Sequence, residues 1–361
     1  MNAQKIGVGI IGAGGWAQYG HIPALKTLPH FDIVAICTRR KEAAEECAKR
    51  FDIPNAFDNE QELIQHPDVN LVVILAPAPE HARLVKVVIA AGKDVYSEWP
   101  LTTNTADSEE LLALAELKDI KHIVGLQRRF SPSARYTRDL IKQGYIGKIR
   151  GVHMTVSSDA FPEIMSQKHA WAFPAENFTN VFSVYTAHFG DMLFQSVGFP
   201  KKVSAIVETQ FPSFTVEETG EKLPNANPNE VMIIGTLENG GLLSIQVEGG
   251  QQHHTGLYME ISGTHGILRI TNAKAFGNEK DNLVEGVNTS GGTLSELKIP
   301  AEYYLWPDCE LDVSAQDVAY LYDTYARDKR NGTSDATNFK DAVRMHKFLD
   351  QVTQATEEFI N

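Results

Sequence analysis

A glycine-rich segment near the start of the sequence has the residue types that a phosphate-binding turn needs. The pattern G-x-G-x-x-A is formed by Gly12, Ala13, Gly14, Gly15, Trp16 and Ala17, directly after the apolar run 6–11. The first glycine permits a tight turn, the second lets the main chain approach a pyrophosphate, and the alanine lets the next helix pack closely. The pattern predicts a dinucleotide-binding turn. The alternative is an ordinary glycine-rich connection between a strand and a helix.

The end of the second apolar run, 33–37, bears on which dinucleotide would bind. Thr38, Arg39 and Arg40 follow it, about twenty residues beyond Ala17, where NAD-binding chains usually place Asp or Glu on the ribose 2′-hydroxyl. A carboxylate would repel a 2′-phosphate, whereas Thr38 can donate a hydrogen bond to it and Arg39 can pair with its charge. We therefore expect NADP(H) to be preferred, with NAD(H) as the alternative cofactor. In the other interpretation the arginines only begin a solvated helix.

Three polar residues in the middle of the chain could carry acid–base chemistry. Tyr185, His188 and Asp191 are spaced three apart and therefore share one face of a helix. His188 could transfer the proton of a substrate hydroxyl, Tyr185 could donate a proton or hold the substrate oxygen, and Asp191 could orient the imidazole. The spacing predicts a catalytic group. The alternative is that His188 is a hydrogen-bonded histidine of the core.

Two further segments have side chains suited to substrate binding. Arg128 and Arg129 follow the apolar run 123–126, so one could bind an anionic or hydroxyl-rich ligand while the other forms an ion pair. Lys168, His169 and Trp171 combine polar donors with an indole, which suits a sugar because apolar sugar faces stack on aromatic rings. The alternative is a surface loop with a packing tryptophan.

The elements that must position these residues differ between the first third of the chain and the rest. Valine- and isoleucine-rich runs at 6–11, 33–37, 71–75, 95–97 and 123–126 alternate with helical patterns, which predicts a doubly wound parallel sheet over residues 1–127. From residue 148 onward, alternating runs follow one another with turns between them, as at Glu238–Gly241. We therefore predict an α+β domain over 128–361 with an open, mostly antiparallel sheet. Two closing helices are expected, starting near Ser314 and Thr337, and the last helices could pack back on the first domain.

Composition narrows the classes of function. The chain has 361 residues, a formal net charge of −13 and three cysteines, which argues against a nucleic-acid groove, an anionic membrane surface and a disulfide scaffold. His253 and His254 have no third ligand at a recognisable spacing, so no metal site is predicted. We find no leader pattern and no run of about twenty apolar residues. A reducing, cytoplasmic location is the expectation.

Several motifs together resemble the Gfo/Idh/MocA family of oxidoreductases. They are the glycine turn with the following His21–Leu25, Ala76-Pro77 with His81, Ala91–Val95 leading into Glu98-Trp99-Pro100, Val124–Phe130, His188 with Asp191, and Gly263–Gly266. The resemblance implies a Rossmann domain followed by a sheet domain, a nicotinamide cofactor, and a sugar or polyol as substrate. It also implies cofactor contacts at Ala76, Pro77, His81, Glu98, Trp99 and Pro100. Trp99 could stack on a sugar ring or the nicotinamide, or fill space in the core.

The departures from the family pattern bear on catalysis. Trp99 occupies the position of the family's commonly catalytic lysine, and an indole cannot replace the acid–base role of an amine. Val184 likewise stands where the family has a carboxylate four residues before His188. The Glu98-Trp99-Pro100 triplet resembles a subgroup that includes the fungal galactose-regulon repressor, a regulator that retains nucleotide binding.

Three functions are compatible with these residues. The first is an NADP-preferring oxidoreductase that transfers hydride to or from a sugar or polyol derivative. The second is a nucleotide-binding regulator or sensor with catalysis lost, and the third is a redox-assisted glycoside-cleaving enzyme. In all three we expect a homo-oligomer, a dimer or tetramer, built on the second domain's sheet, because a free apolar sheet face would otherwise be exposed.

Overall fold

The structure is a computed structural model that describes residues 5–306 and 309–360, and the side chains of residues 170, 171 and 360 lie outside that description. The chain divides into two compact units. The first joins the residues up to Gln127 to Glu310–His346, and the second joins Arg128–Cys309 to the residues from Lys347 onward. The segment 310–346 therefore belongs to the same unit as the glycine-rich turn.

The first unit is built on a parallel sheet whose order is β3-β2-β1-β4-β5-β6. Its strands are β1 (Ile6–Ile11), β2 (Phe31–Cys37), β3 (Asn55–Phe57), β4 (Leu71–Ile74), β5 (Asp94–Glu98) and β6 (His122–Gly125). The helices between them are α1 (Ile22–Lys26), α2 (Lys41–Arg50), α3 (Glu60–Gln65), α4 (Ala78–Ala90) and α5 (Thr105–Leu117). Because β1 lies inside the sheet, the strand order reverses there, and ligands bind at such a switch point in open α/β sheets. The predicted doubly wound parallel sheet is confirmed.

The second unit contains a larger sheet of order β17-β16-β15-β14-β7-β13-β12-β9, in which β7 and β13 are parallel and the other neighbours antiparallel. A smaller sheet has the order β11-β10-β8. The elements in chain order are α6 (Pro132–Lys142), β7 (Ile149–Ser157), β8 (Ile164–Met165), α7 (Thr186–Val197), β9 (Pro200–Glu208), β10 (Ser213–Val216), β11 (Lys222–Pro224), β12 (Glu230–Leu237), β13 (Leu242–Glu248), β14 (Gly256–Gly263), β15 (Gly266–Asn272), β16 (Leu283–Asn288) and β17 (Ser295–Glu296). The predicted mostly antiparallel sheet is confirmed.

The larger sheet has one buried and one open face, as side-chain alternation along its strands requires. On β12, Val231 and Ile233 are buried, whereas Met232 and Ile234 are exposed. A single turn of π-helix, Val181–Tyr185, contacts β12 and β13 and leads directly into α7. The sheet thus supports the segment that carries Tyr185 and His188.

The two closing helices are α8 (Val313–Asn331) and α9 (Phe339–Ile360). Helix α8 belongs to the first unit and contacts α1. Its N-cap is Asp312, whose side chain accepts a hydrogen bond from the Ser314 amide at 2.8 Å, so the helix begins one residue before the predicted Ser314. Carboxylates serve as N-caps because they satisfy amide groups that lack a partner within the helix. Within the described ranges no helix is both long enough and apolar enough to cross a membrane.

Candidate nucleotide and substrate sites

The glycine turn follows β1 and leaves its main chain open. Gly12 has φ +108°, and a Cβ there would lie 2.8 Å from the Leu75 carbonyl oxygen, so a side chain is excluded. Its amide donates to the carbonyl oxygen of Cys37 at 2.8 Å, which joins the turn to the end of β2. A Cβ at Gly14 or Gly15 would meet no heavy atom within 4 Å. The turn therefore has the space that a pyrophosphate needs, and the fit supports a bound dinucleotide.

The helix after the turn contains one π-helical turn, Ala17–His21, in which the Ile22 amide donates to the Ala17 carbonyl oxygen. Gln18 stabilises the loop because its Nε2 donates to the Ala13 carbonyl oxygen at 2.8 Å. Arg50 of α2 in turn donates to the Gln18 side-chain oxygen at 2.8 Å. The amide of Gln18 was not among the predicted site residues, since glutamine in a helix has no distinguishing sequence signal.

At the end of β2, Thr38 and Arg39 differ in what they can offer a ligand. The Thr38 hydroxyl donates to the Arg40 carbonyl oxygen at 2.6 Å, so its proton is already used within the loop. Arg39 is exposed. The predicted hydrogen bond from Thr38 to a 2′-phosphate would require the hydroxyl to leave the Arg40 carbonyl. Arg39 is consequently the more accessible of the two side chains.

His81 ties together the loops that follow β4 and β5. Its Nδ1 lies 2.8 Å from the Pro100 carbonyl oxygen and its Nε2 lies 2.7 Å from the Ala76 carbonyl oxygen. The ring is buried, and burial lowers the pKa of His81. Both nitrogens lie within hydrogen-bond distance of main-chain carbonyl oxygens, so His81 helps to position the two loops at the edge of the sheet. Pro77 begins α4 as its N-cap.

Glu98, the last residue of β5, and the adjacent Trp99 lie in different environments. Glu98 is partly exposed, and its Oε1 accepts a hydrogen bond from the Tyr96 hydroxyl at 2.9 Å. Trp99 is buried, and its ring centroid lies 4.6 Å from that of His346. Burial lowers the pKa of His346 to about 4. Of the two predicted roles for Trp99, its burial favours packing over a stacking surface for a sugar or nicotinamide.

In the second unit, Tyr185 and His188 are arranged around Phe276. Tyr185 ends the π-turn, which is capped by Asn180, whose side chain accepts from the Ser183 amide at 2.9 Å. The Phe276 ring packs edge-on against Tyr185 at 5.0 Å and against His188 at 5.5 Å between centroids. Burial raises the pKa of Tyr185 to about 12. The phenol therefore keeps its proton at neutral pH and can act as a donor.

The two adjacent arginines have separate partners. The Arg128 guanidinium lies 4.6 Å from the Phe189 ring centroid and 4.8 Å from that of Phe276. It is 2% exposed, so it stacks between two rings, and a ligand could reach it only after rearrangement. Arg129 binds Asp191 through two hydrogen bonds, one from Nε to Oδ2 at 2.7 Å and one from Nη2 to Oδ1. The expected ion pair thus falls on Arg129, and its partner is Asp191, the residue predicted to orient His188.

The remaining predicted substrate residues lie on a short 3-10 helix, Gln167–Ala172. Lys168 is exposed there, and the side chain of Trp171 lies outside the described residues. The Gln167 amide donates to a carboxylate oxygen of Glu218 at 2.7 Å. Across the described part of the chain, no group of three or more His, Cys, Asp or Glu side chains could hold a metal ion.

Two regions of the chain match models of known protein families. Residues 6–126 match the oxidoreductase family with an NAD-binding Rossmann fold, and residues 132–272 match the C-terminal domain of Gal80p. Together the two matches cover the parallel sheet of the first unit and strands β7 to β15 of the second, and they leave out β16 and β17.

Individual curated proteins are similar over much of the chain. Dehydrogenase aclE of Aspergillus oryzae is 27% identical over 63% of this chain, and the chain spans 64% of that protein. The galactose/lactose metabolism regulatory protein GAL80 of Kluyveromyces lactis is 26% identical over 79% of this chain and 68% of its own length. Levoglucosan dehydrogenase of Pseudarthrobacter phenanthrenivorans is 26% identical over 73% of each chain.

Solved structures share the fold across the chain. Levoglucosan dehydrogenase in complex with NADH and levoglucosan has a TM-score of 0.86 at 21% identity and covers 98% of both chains. A super-repressor mutant of Gal80p from Saccharomyces cerevisiae has a TM-score of 0.87 at 20% identity, covering 98% of this chain and 96% of its own. An enzyme and a regulator therefore share this architecture.

Proposed function

We propose that this chain is a nicotinamide-dependent oxidoreductase of a sugar or polyol derivative. Its residues 6–126 match the Gfo/Idh/MocA oxidoreductase family, and its residues 132–272 match the C-terminal domain of Gal80p. The observation that carries the proposal is the open main chain at Gly14 and Gly15. It lies directly after β1, at the edge of the sheet where strand order reverses. The similarity to levoglucosan dehydrogenase supports a sugar as substrate.

The residues of each unit have separate duties in this proposal. The first unit holds the dinucleotide through the glycine turn, with Arg39 at the adenosine side and Glu98 at the end of β5. A bound nicotinamide supplies or accepts the hydride. In the second unit, His188 transfers the proton of the substrate oxygen, and Tyr185 donates a hydrogen bond or a proton to it. Because the phenol of Tyr185 stays protonated at neutral pH, it suits donation to an oxygen that gains negative charge during reduction.

We expect NADP(H) to bind more tightly than NAD(H). Charge-assisted hydrogen bonds to the 2′-phosphate would come from Arg39. Arg39→Ala should therefore lower the affinity for NADPH about tenfold and leave the affinity for NADH unchanged. Fluorescence titration of both nucleotides measures this. Arg40→Ala is the matched control, since Arg40 is also exposed and adjacent in sequence but should alter neither affinity. Equal affinities of the wild-type protein for NADPH and NADH would contradict the prediction.

A nucleotide-binding regulator is the second candidate function, and the burial of Trp99 favours it. The position that holds a lysine in the family here holds an indole packed on His346, so it supplies no proton. The similarity to GAL80 is consistent with this candidate. A screen of polyols and keto-sugars, followed by NADPH absorbance, separates the two: turnover supports the oxidoreductase, whereas tight nucleotide binding without turnover supports the regulator.

We further propose that a second copy of this chain covers the open face of the larger sheet. Ile234 is 59% exposed and Leu242 is 63% exposed on this face. They line a shallow groove of about 580 Å³. Glu230 lies beside Glu208 and Glu248 at one end of the face, and Lys202 lies beside Thr236 at the other. A two-fold axis would set the acidic end of one copy against the lysine end of the other.

Light scattering at micromolar concentration is therefore expected to give at least twice the mass of one chain. Ile234→Asp should shift the protein toward monomer, because it places a charge in an apolar contact. Ile164→Asp is the control, since Ile164 is exposed to a similar extent, 60%, but lies on β8 of the smaller sheet. A monomeric wild-type protein would refute this assembly.

A further inference from the structure

Glu98 stands at the end of a hydrogen-bonded chain that begins in the C-terminal part of the sequence. The Tyr322 hydroxyl lies 2.7 Å from His21 Nδ1, and His21 Nε2 lies 2.9 Å from Glu98 Oε1. The same carboxylate oxygen accepts a second hydrogen bond from Tyr96. His21 and Tyr322 are fully buried, whereas the side chain of Glu98 is 15% exposed. All four residues belong to the first unit.

The chemistry of the four groups fixes the direction of the hydrogen bonds. An ionised carboxylate is only an acceptor, so His21 must carry its proton on Nε2 and donate it to Glu98. In a neutral imidazole the remaining nitrogen, Nδ1, then accepts from the Tyr322 hydroxyl. Burial raises the pKa of both Tyr96 and Tyr322 well above the usual value, and the charge of Glu98 adds to the effect. Both phenols therefore remain donors.

His21 is held rigidly enough to act as a support. It is the last residue of the π-turn Ala17–His21. Three aromatic rings meet its imidazole nearly edge-on: Trp16 at 5.4 Å, Tyr96 at 5.3 Å and Tyr322 at 5.8 Å between centroids. The imidazole is thus enclosed on several sides, and turning it to another orientation would break the hydrogen bonds at both of its nitrogens.

The segment from Gly12 to His21 also connects two places on the sheet edge. Gly12 follows β1, and Glu98 ends β5, two strands away in the order β1-β4-β5, which is about 10 Å at the usual strand spacing. A dinucleotide whose pyrophosphate lies on the glycine turn extends along this edge. One short segment therefore both forms the turn and supports the carboxylate.

We propose that Tyr322 and His21 are positioning residues that hold the Glu98 carboxylate as the acceptor for the nicotinamide half of the bound dinucleotide. The acceptor would receive a hydrogen bond from a ribose hydroxyl or from the carboxamide N–H. This inference rests on the proposed function, since it needs a bound nicotinamide nucleotide. It makes α8, far along the chain from the glycine turn, a part of cofactor recognition.

The test compares two buried tyrosines of the same helix. Tyr322→Phe removes the hydroxyl that anchors His21. Tyr325→Phe is the matched control, because Tyr325 is equally buried and donates to Asp94 Oδ2 at 2.7 Å, outside the chain that reaches Glu98. The ligands are NADPH, which contains nicotinamide, and adenosine 2′,5′-bisphosphate, which lacks it, with NADH and ADP measured in parallel. Binding is followed by calorimetry and by the fluorescence of bound NADPH.

We expect Tyr322→Phe to lower the affinity for NADPH about tenfold and to change the fluorescence emission of the bound nicotinamide. Its affinity for adenosine 2′,5′-bisphosphate should stay within twofold of the wild-type value. Tyr325→Phe should leave both ligands within twofold. Tyr96→Phe, which removes the other donor to Glu98, should repeat the selective loss and serves if Tyr322→Phe does not fold. If Tyr322→Phe and Tyr325→Phe lose the same affinity for NADPH, or if Tyr322→Phe loses the same affinity for both ligands, the inference is overturned while the proposed function stands. Failure of the wild-type protein to bind any of the nucleotides would overturn the proposed function and this inference with it.

Discussion

Turnover of a polyol or keto-sugar substrate is expected to fall about 10²–10⁴-fold when His188 is replaced by alanine, the usual loss for a proton-transfer group. His188 is buried on α7 beside Tyr185, and both rings pack against Phe276. Trp99 cannot take over the proton, because an indole has no acid–base function near neutral pH. The affinity for NADPH should be nearly unchanged, since the residues proposed to hold it lie in the first unit. Absorbance of NADPH gives the rate, and fluorescence titration gives the affinity.

The control for this substitution is His265→Ala, which removes an exposed histidine of the same unit from the turn between β14 and β15. Its turnover should match that of the wild-type protein. Tyr185→Phe tests the second donor, and a loss smaller than that of His188→Ala would assign Tyr185 a hydrogen-bonding role. Activity that survives His188→Ala at the wild-type level would reject the assignment of His188.

Replacing Asp191 by alanine is expected to lower the free energy of unfolding by about 3–5 kcal/mol, the cost of leaving one charge of a buried pair without its partner. The Asp191 side chain is 1% exposed and that of Arg129 is 17% exposed. The contact is made at two points, from Nε and from Nη2, and such paired hydrogen bonds between charged groups are stronger than single neutral ones. Denaturation by urea, followed by circular dichroism, measures the loss.

A surface pair provides the comparison for Asp191. Arg83 contacts Glu60 at 2.7 Å, with the arginine side chain more than half exposed, so Glu60→Ala should cost less than about 1 kcal/mol. If Asp191→Ala and Glu60→Ala unfold at the same urea concentration, the buried pair contributes no more to the free energy of unfolding than the exposed pair does. Its role would then lie in orienting His188, as the spacing of the two residues predicts.

Features that depend on neighbouring residues could be predicted from the sequence. The glycine turn is one example. Gly12 has a positive φ, which glycine adopts readily, and the G-x-G-x-x-A pattern after an apolar run predicts such a turn. The two types of sheet are another, since continuous apolar runs and alternating runs differ in how many faces are buried. Even there the limits of strands shift: β2 begins at Phe31 rather than at 33, because the polar Asp32 interrupts the apolar run. The resemblance to the Gfo/Idh/MocA family is confirmed by the match over residues 6–126.

Features that depend on distant residues could not be predicted. One example is the hydrogen-bonded chain from Tyr322 through His21 to Glu98. These residues come from three distant parts of the sequence, so no spacing within the sequence predicts their contact. Phe276 lies in the connection between β15 and β16, where no periodic pattern marks the residue that contacts Tyr185 and His188. Asp191 was assigned to His188 because the two are neighbours on one helix, but a guanidinium from Arg129 reaches it in the folded chain.

The chain contains two π-turns, Ala17–His21 and Val181–Tyr185. At each of them the number of residues in the turn matters for function as much as the identity of those residues. A π-turn holds one residue more than the α-helical turn that it replaces. Deleting a single residue would let either helix close its ordinary hydrogen bonds, so the fold should accept the deletion. Because the wide turn absorbs its extra residue, the flanking helical segments would stay in phase, and only the side chains within the turn would change direction, among them His21, which contacts Glu98, or Tyr185, which contacts Phe276. Homologues that differ by one residue at these turns should therefore differ in chemistry while keeping the same architecture.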